Sequence, residues 1–389
     1  MSRSSHRWAS LWPRTIALLV VITLLLMPYN WTFQPLSHEI KVLTIARQLA
    51  DPGWLPQDWY LNQAVSHPGL FDWLTGTSAG LIGMTGTIVL GRLVCYGLLA
   101  LGLALITRQL DLRLGASLLA VSLWLGFNRL VPIDSAAPVY FGFAGVTIAS
   151  LLLVCTGRFP NLKRHYLKLF LLAYGLLLAA NDPQSVIADE VLLPDFGAKS
   201  IAYGFVLIAI GLFLGDRRYL AALFAGFSAS FQLLVGGYGF FAILTSCFLE
   251  DVFLGTLRTK ATWKVIVPFA IGAISSLPDL WHKFRSTPPI SDVFASEITV
   301  FFRFPDQLNP DTWYTAGWLK LVTYLIVLAL SVYMIAVTQR RAALEIDRGF
   351  AKRRALLVVL ICAVPFGLGL LIAPTNDTGS LLQYSPFSL

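Results

Sequence analysis

Six side chains at span ends and in loops have the types needed for one reaction. Glu39, Asp51 and Asp58 lie close together after the first apolar run, while Arg129 and Lys199 sit at the ends of later runs and Arg303 in the loop 281–314. A carboxylate beside an acceptor hydroxyl can take its proton. A fixed cation can stabilise the charge on a departing phosphate. Glu39, Asp51 and Asp58 are therefore the candidate catalytic acids, and Arg129, Lys199 and Arg303 the candidate phosphate-binding residues. Each also has a plainer reading. Asp51 before Pro52 opens a turn, Asp58 can cap the segment after it, and Glu39 in the first turn of a helix is favoured there by the helix dipole. Arg129 and Lys199 can anchor span ends by extending their charged tips to the interface. Arg92 differs from all of these, because a charge inside an apolar span faces protein interior or a water-filled cavity.

The elements that must position these groups are membrane helices. The 389-residue chain is 56% hydrophobic and 13% charged, with mean hydropathy +0.70, which takes it out of the range of soluble domains. About 20 apolar residues cross roughly 30 Å of hydrocarbon. Runs of that kind occur near 15–29, 86–107, 114–132, 139–157, 166–180, 200–215, 219–235, 237–252, 264–280, 315–337 and 355–373. The expectation is an all-α, polytopic transmembrane bundle of about 11 spans, with residues 1–389 as a single integral membrane domain and outer loops at 30–85 and 281–314. Gly236 and Gly237 are expected to mark a tight break between two helices.

The net charge of +8 reads as topology. Most of the 29 Lys and Arg residues fall in alternate gaps, from Arg3, Arg7 and Arg14 to Arg340, Arg341, Arg348 and Lys352, as the positive-inside rule requires of cytoplasmic segments. The N-terminus and residues 338–354 are then cytoplasmic, and the C-terminus is outside, in a multi-pass protein of the cell membrane. The basic charge needs no nucleic-acid partner to explain it. The four cysteines all fall in expected spans without paired spacing and read as small apolar residues. His38 and His67 have no second ligand at metal-binding spacing, so no metal site is assigned, and the cofactor is left unknown.

The first outer loop opens with PLSHEIKVLTIARQLAD, where Ser37 can cap a helix and Ile40, Leu43 and Ala46 recur at helical spacing. This pattern predicts an amphipathic helix over 36–50 on the membrane surface, with Ile40 and Leu43 facing lipid or core and Lys41 and Arg47 facing water. Trp54, Trp59, Tyr60 and Trp73 are the ring types favoured at the lipid–water boundary. In the second long loop Arg303 stands among phenylalanines, where an anion is needed to offset its desolvation. It is expected to pack over the first outer loop in a cavity shared with Glu39 or Asp58.

A long first outer loop bearing acids and interfacial helices, with many short-looped spans after it, resembles the type-C glycosyltransferases, integral enzymes that take sugars from polyprenyl-phosphate carriers. ARQLADPGWLPQDWYLNQ, GAKSIAYGFVLIAIGLFLGDRRYLAALFAGFSASFQLLVGGYGFF and EITVFFRFPDQLNPDTW carry a further resemblance, to an uncharacterised bacterial family of polytopic proteins with that architecture. The resemblance implies transfer of a sugar from a lipid-phosphate carrier to an acceptor at the outer face, a catalytic acid in the first outer loop, and the bilayer and a polyprenyl-phosphate-linked sugar as partners. The chain departs from it twice. Proteins of this type continue past a segment like LLQYSPFSL, so C-terminal spans are expected to be missing, and Gln232 stands where a histidine is expected. The sequence leaves two other function classes open: a non-catalytic membrane scaffold, and a transporter of unknown substrate. Broken helices near Gly236 would favour the transporter. Against it, almost every charge other than Arg92 sits at a span end.

Overall fold

Small residues at turn-by-turn spacing are the main device that packs this chain. In a computed structural model the residues described are 11–30, 37–58, 69–112, 196–253, 262–278, 280–281, 296–303 and 346–375, with 114, 115, 117, 118, 121, 309, 325 and 329. Among them the secondary structure is helical, without strands: α1 Leu11–Asn30, α2 Ser37–Ala50, α3 Leu70–Gln109, α4 Ala198–Leu214, α5 Arg218–Phe231, α6 Leu233–Phe253, α7 Ile266–Gly272 and α8 Ile346–Ile372. A 3-10 turn at Ile274–Ser276 comes after α7, and a π-helical turn spans Ile298–Arg303. Three described helices are long and apolar enough to cross a membrane: Leu70–Gln109, Leu233–Val252 and Phe350–Ile372. The spans expected at 139–157 and 166–180, and most of those at 114–132 and 315–337, lie outside the described residues.

The chain forms two compact units, one of residues 1–122, 193–289 and 357–362, the other of the remainder. In the first unit α3 is the axis. It begins at residue 70, so much of what reads in sequence as the end of an outer loop (70–85) is helix. Gly83 interrupts it with φ 77 and ψ 168, a conformation open to glycine at little steric cost. Asp72 starts it by accepting a hydrogen bond from the Gly69 N–H at 3.2 Å.

Helix α4 runs parallel to α3 in close register. Phe196 lies on Gly91, Leu98 on Gly204, Leu207 on Gly102, Leu105 on Gly211, and the Gln109 amide on Gly215. Glycine at each crossing lets two backbones approach as they do in membrane helix pairs. Helix α1 packs against the far end of α3, where Arg14 donates to Thr107 Oγ1 at 3.2 Å and to the Leu112 carbonyl at 2.8 Å. The N-terminal end of α1 therefore meets the C-terminal end of α3.

Helices α5 and α6 form a hairpin. Gly236 on α6 lies against Ala229 of α5. The non-helical residue between them is Gln232, at φ −146 and ψ 106, four residues before the glycine pair expected to make the break. Gly236 and Gly237 are already in the first turns of α6, and Gly236 is what lets the two arms close. Ser228 Oγ donates to the Ala202 carbonyl at 2.8 Å, and Ser230 Oγ to that of Gly272 at 2.7 Å. These bonds tie the hairpin to α4 and α7 and satisfy two buried hydroxyls. The run at 264–280 is not one continuous α-helix: the chain leaves it at Ala273, φ −89 and ψ 7, and goes on as the 3-10 turn.

Candidate functional site

Helix α2 is amphipathic, but its inward row is not purely apolar. Glu39, Leu43 and Ala46, at i, i+4 and i+7, are buried, and this row lies along α3, with the Ala46 carbonyl over Gly76 and the Arg47 guanidinium over Gly80. The helix expected over 36–50 is present, with Leu43 inward and Lys41 outward as read. Ile40 is 47% exposed, outside the protein core. Its place inward is taken by Glu39.

A carboxylate there requires a partner, because an unpaired buried charge is strongly unfavourable. Arg92 supplies it. Its Nε donates to Glu39 Oε1 at 2.9 Å and its Nη2 to Oε2 at 2.6 Å, the side-on fork of a bidentate pair. A third donor, the backbone N–H of Phe196, reaches Oε1 at 2.8 Å. Glu39 is fully buried and the Arg92 side chain is only 8% exposed. The three groups join α2, α3 and the entry to α4. Phe71 backs them, with its ring centroid 5.2 Å from that of Phe196.

The two remaining acids of this segment occupy the turn after α2. Asp51 accepts from Arg47 Nη2 at 3.3 Å and, through Oδ1, from the Gly53 N–H at 3.2 Å. This is the turn-forming geometry of aspartate before Pro-Gly. The Asp58 N–H donates to the Leu55 carbonyl at 3.1 Å, and its side chain is exposed. Lys199 lies in the first turn of α4, three residues beyond the Phe196 amide that holds Glu39. Glu39 and Lys199 are thus drawn to the same end of α4. Arg129 lies outside the described residues. So does the side chain of Arg303, whose backbone ends the π-helical turn, and with it the expected packing of Arg303 over the first outer loop.

Sequence reasoning singles out Arg92 but gives it no role. The available signal is double: an arginine inside an apolar run, and a lone acid on the apolar face of an amphipathic helix, each needing the other. It misses a second ionic cluster altogether. At the opposite end of α4, Arg218 reaches Glu250 Oε2 at 2.8 Å, Asp251 Oδ1 at 3.3 Å and Asp216 Oδ1 at 3.7 Å, and Thr262 Oγ1 donates to Asp251 Oδ2. Glu250 and Asp251 are buried. The cluster joins the start of α5 to the end of α6 and the approach to α7. No family model, curated protein or solved structure matches the chain.

Proposed function

We propose that the chain is a polytopic protein of the cell membrane, with about 11 spans, that moves a sugar from a lipid-phosphate carrier to an acceptor at the outer face. The membrane reading is supported by apolar rows that water would not tolerate. On α1, Trp12, Ile16, Val20 and Leu24 repeat every four residues on the exposed side, opposite buried Leu18 and Ile22. Exposed Leu234, Phe241 and Phe248 recur every seven residues on α6, and Val364, Leu368 and Leu371 at steps of four and three on α8. Continuous exposed apolar surface of this extent marks contact with lipid or protein.

The observation that carries the site is the anchoring of the acid-bearing segment 37–58 to the entry of α4 through Glu39, Arg92 and Phe196. It puts the turn with Asp51 and Asp58 on a fixed support, and Lys199 next to that support in sequence. The roles divide by accessibility. Glu39, held by Arg92 and the Phe196 amide, positions the segment. Asp51 shapes the turn. Asp58, exposed, takes the proton of the acceptor hydroxyl. The acceptor oxygen then bonds to the anomeric carbon, and the carbon–oxygen bond to phosphate breaks with both electrons leaving on the phosphate. Lys199 offsets that charge. Arg129 and Arg303 belong to the other unit and no step is routed through them.

Isolated membranes carrying the protein test this with a radiolabelled polyprenyl-phosphate sugar. Wild type is expected to consume the donor, and Asp58→Asn to do so at least about 100-fold more slowly. Equal rates in the two, or no consumption above membranes lacking the protein, overturn the reading. The second result favours a non-catalytic scaffold, a reading supported by the hydrogen bonds already satisfying Glu39 and Asp51.

A further inference from the structure

The donors around Glu39 have a chemistry of their own. Two guanidinium N–H groups and one backbone N–H converge on a single anion, and the amide belongs to the residue before Gly197, the N-cap of α4. An arginine fork combined with the entry to a helix is a donor set that binds phosphate oxygens as readily as carboxylate oxygens. Arg92, buried on α3, must keep an anion beside it whatever else changes. A neutral lipid cannot replace Glu39 there, but another anion can do so without leaving a buried charge unpaired.

Glu39 is also well placed to leave. It lies in the first turn of α2, where backbone N–H groups have no intrahelical partner and fraying is least costly. The C-terminal half of α2 is held separately, by Ala46 over Gly76 and by Leu43 in the core. Release of the first turn need not free the helix.

We propose that Arg92 and the Phe196 amide form a phosphomonoester receptor that Glu39 fills as an internal plug, and that the phosphate of the discharged carrier, a monoester once the sugar has left, displaces the Glu39 carboxylate. The inference rests on the lipid-phosphate reading above and adds a phosphate-binding residue, Arg92, and a gate, Glu39. In the resting protein the receptor is closed to water. The freed carrier phosphate opens it by exchanging one anion for another, so that the first turn of α2 moves only after the sugar has left.

The test uses the full chain in phosphatidylcholine nanodiscs, with farnesyl phosphate as the probe. Carboxylates are modified with a water-soluble carbodiimide and an amine, and Glu39 is tracked by mass spectrometry. Saturating farnesyl phosphate is expected to raise labelling of Glu39 by about ten-fold, since the group passes from a protected to an open state. No rise overturns the proposal. Inorganic phosphate producing the same rise supports the receptor and shows that the head group alone is read. Phosphatidylglycerol producing it overturns the phosphomonoester assignment. In a second measurement Glu39→Gln, a weaker plug, is expected to bind radiolabelled farnesyl phosphate about ten-fold more tightly than wild type, because less of the receptor is occupied internally. Unchanged or weaker binding in a folded variant overturns the exchange. Should that variant not fold, the wild-type labelling decides alone. Binding and labelling as expected without sugar transfer would remove the enzyme reading and leave the receptor. Transfer with Glu39 protected throughout would do the reverse.

Discussion

The ring of Phe196 lies directly on Gly91, so closely that a Cβ at position 91 would occupy the space of the ring. This contact sets the height of the Phe196 amide on α3, and Arg92 is the next residue. Gly91→Ala is therefore expected to push the entry of α4 outward and lengthen the Phe196 bond to Glu39. Overpacking of this kind costs about 1–3 kcal/mol. A thermal-unfolding series in detergent should show a lowered midpoint for Gly91→Ala. At Gly97, where a Cβ meets nothing, the same substitution should be neutral or gain about 0.5–1 kcal/mol from reduced backbone entropy.

The glycine pair on α6 makes a sharper comparison because the two residues are neighbours. A Cβ on Gly236 runs into the backbone of Ala229 on α5, while one on Gly237 points into open space. Gly236→Ala should open the hairpin and lower stability by about 1–3 kcal/mol, and Gly237→Ala should not. Equal midpoints for the two variants would show that the arms do not close as described.

How far the sequence discloses this arrangement depends on the range of the interaction. Helix α2 is legible because Ile40, Leu43 and Ala46 recur at helical spacing, a local signal. Which side turns inward is not, because Glu39 becomes acceptable inside only through Arg92, 53 residues away. The same limit explains Gln232. Two adjacent glycines look like a break in one dimension, but the backbone of Ala229 on the facing arm uses Gly236 as a surface to close against. The turn at Asp51-Pro52-Gly53 is readable because its hydrogen bonds are local. Asp216, Arg218, Glu250 and Asp251 form no pattern in the sequence, since their partners are assembled from three elements.

Arg218 is the central charge of that second cluster. Its side chain is 23% exposed, while those of Glu250 and Asp251 are 6% exposed. Arg218→Ala leaves two buried carboxylates facing each other, with an expected loss of about 3–5 kcal/mol. Arg218→Lys should recover little of it, because one ammonium cannot serve both carboxylates with the geometry of a guanidinium fork. Joint replacement as Arg218→Met, Glu250→Gln and Asp251→Asn should be milder than Arg218→Ala alone. If Arg218→Ala unfolds at the wild-type temperature, the cluster is a surface feature of small effect.

The direction of the chain through the membrane is set by which helix ends lie together. Arg14 at the start of α1 bonds to Thr107 and to the Leu112 carbonyl at the end of α3, and Gln109 meets Gly215 at the end of α4. Residues 14, 112 and 215 therefore share one end of this unit. In the proposed topology, which follows the bias of Lys and Arg, that end is the cytoplasmic one. Single cysteines replacing Leu112, Asp216 and Asp347 are expected to resist a membrane-impermeant maleimide in intact cells and to react after lysis, while one replacing Asp58 reacts in intact cells. Different behaviour at 112 and 216 would contradict the parallel packing of α3 and α4. Labelling of all three inner positions from outside would keep that packing and invert the protein in the bilayer, which would put Asp58 on the wrong side for a flipped lipid carrier.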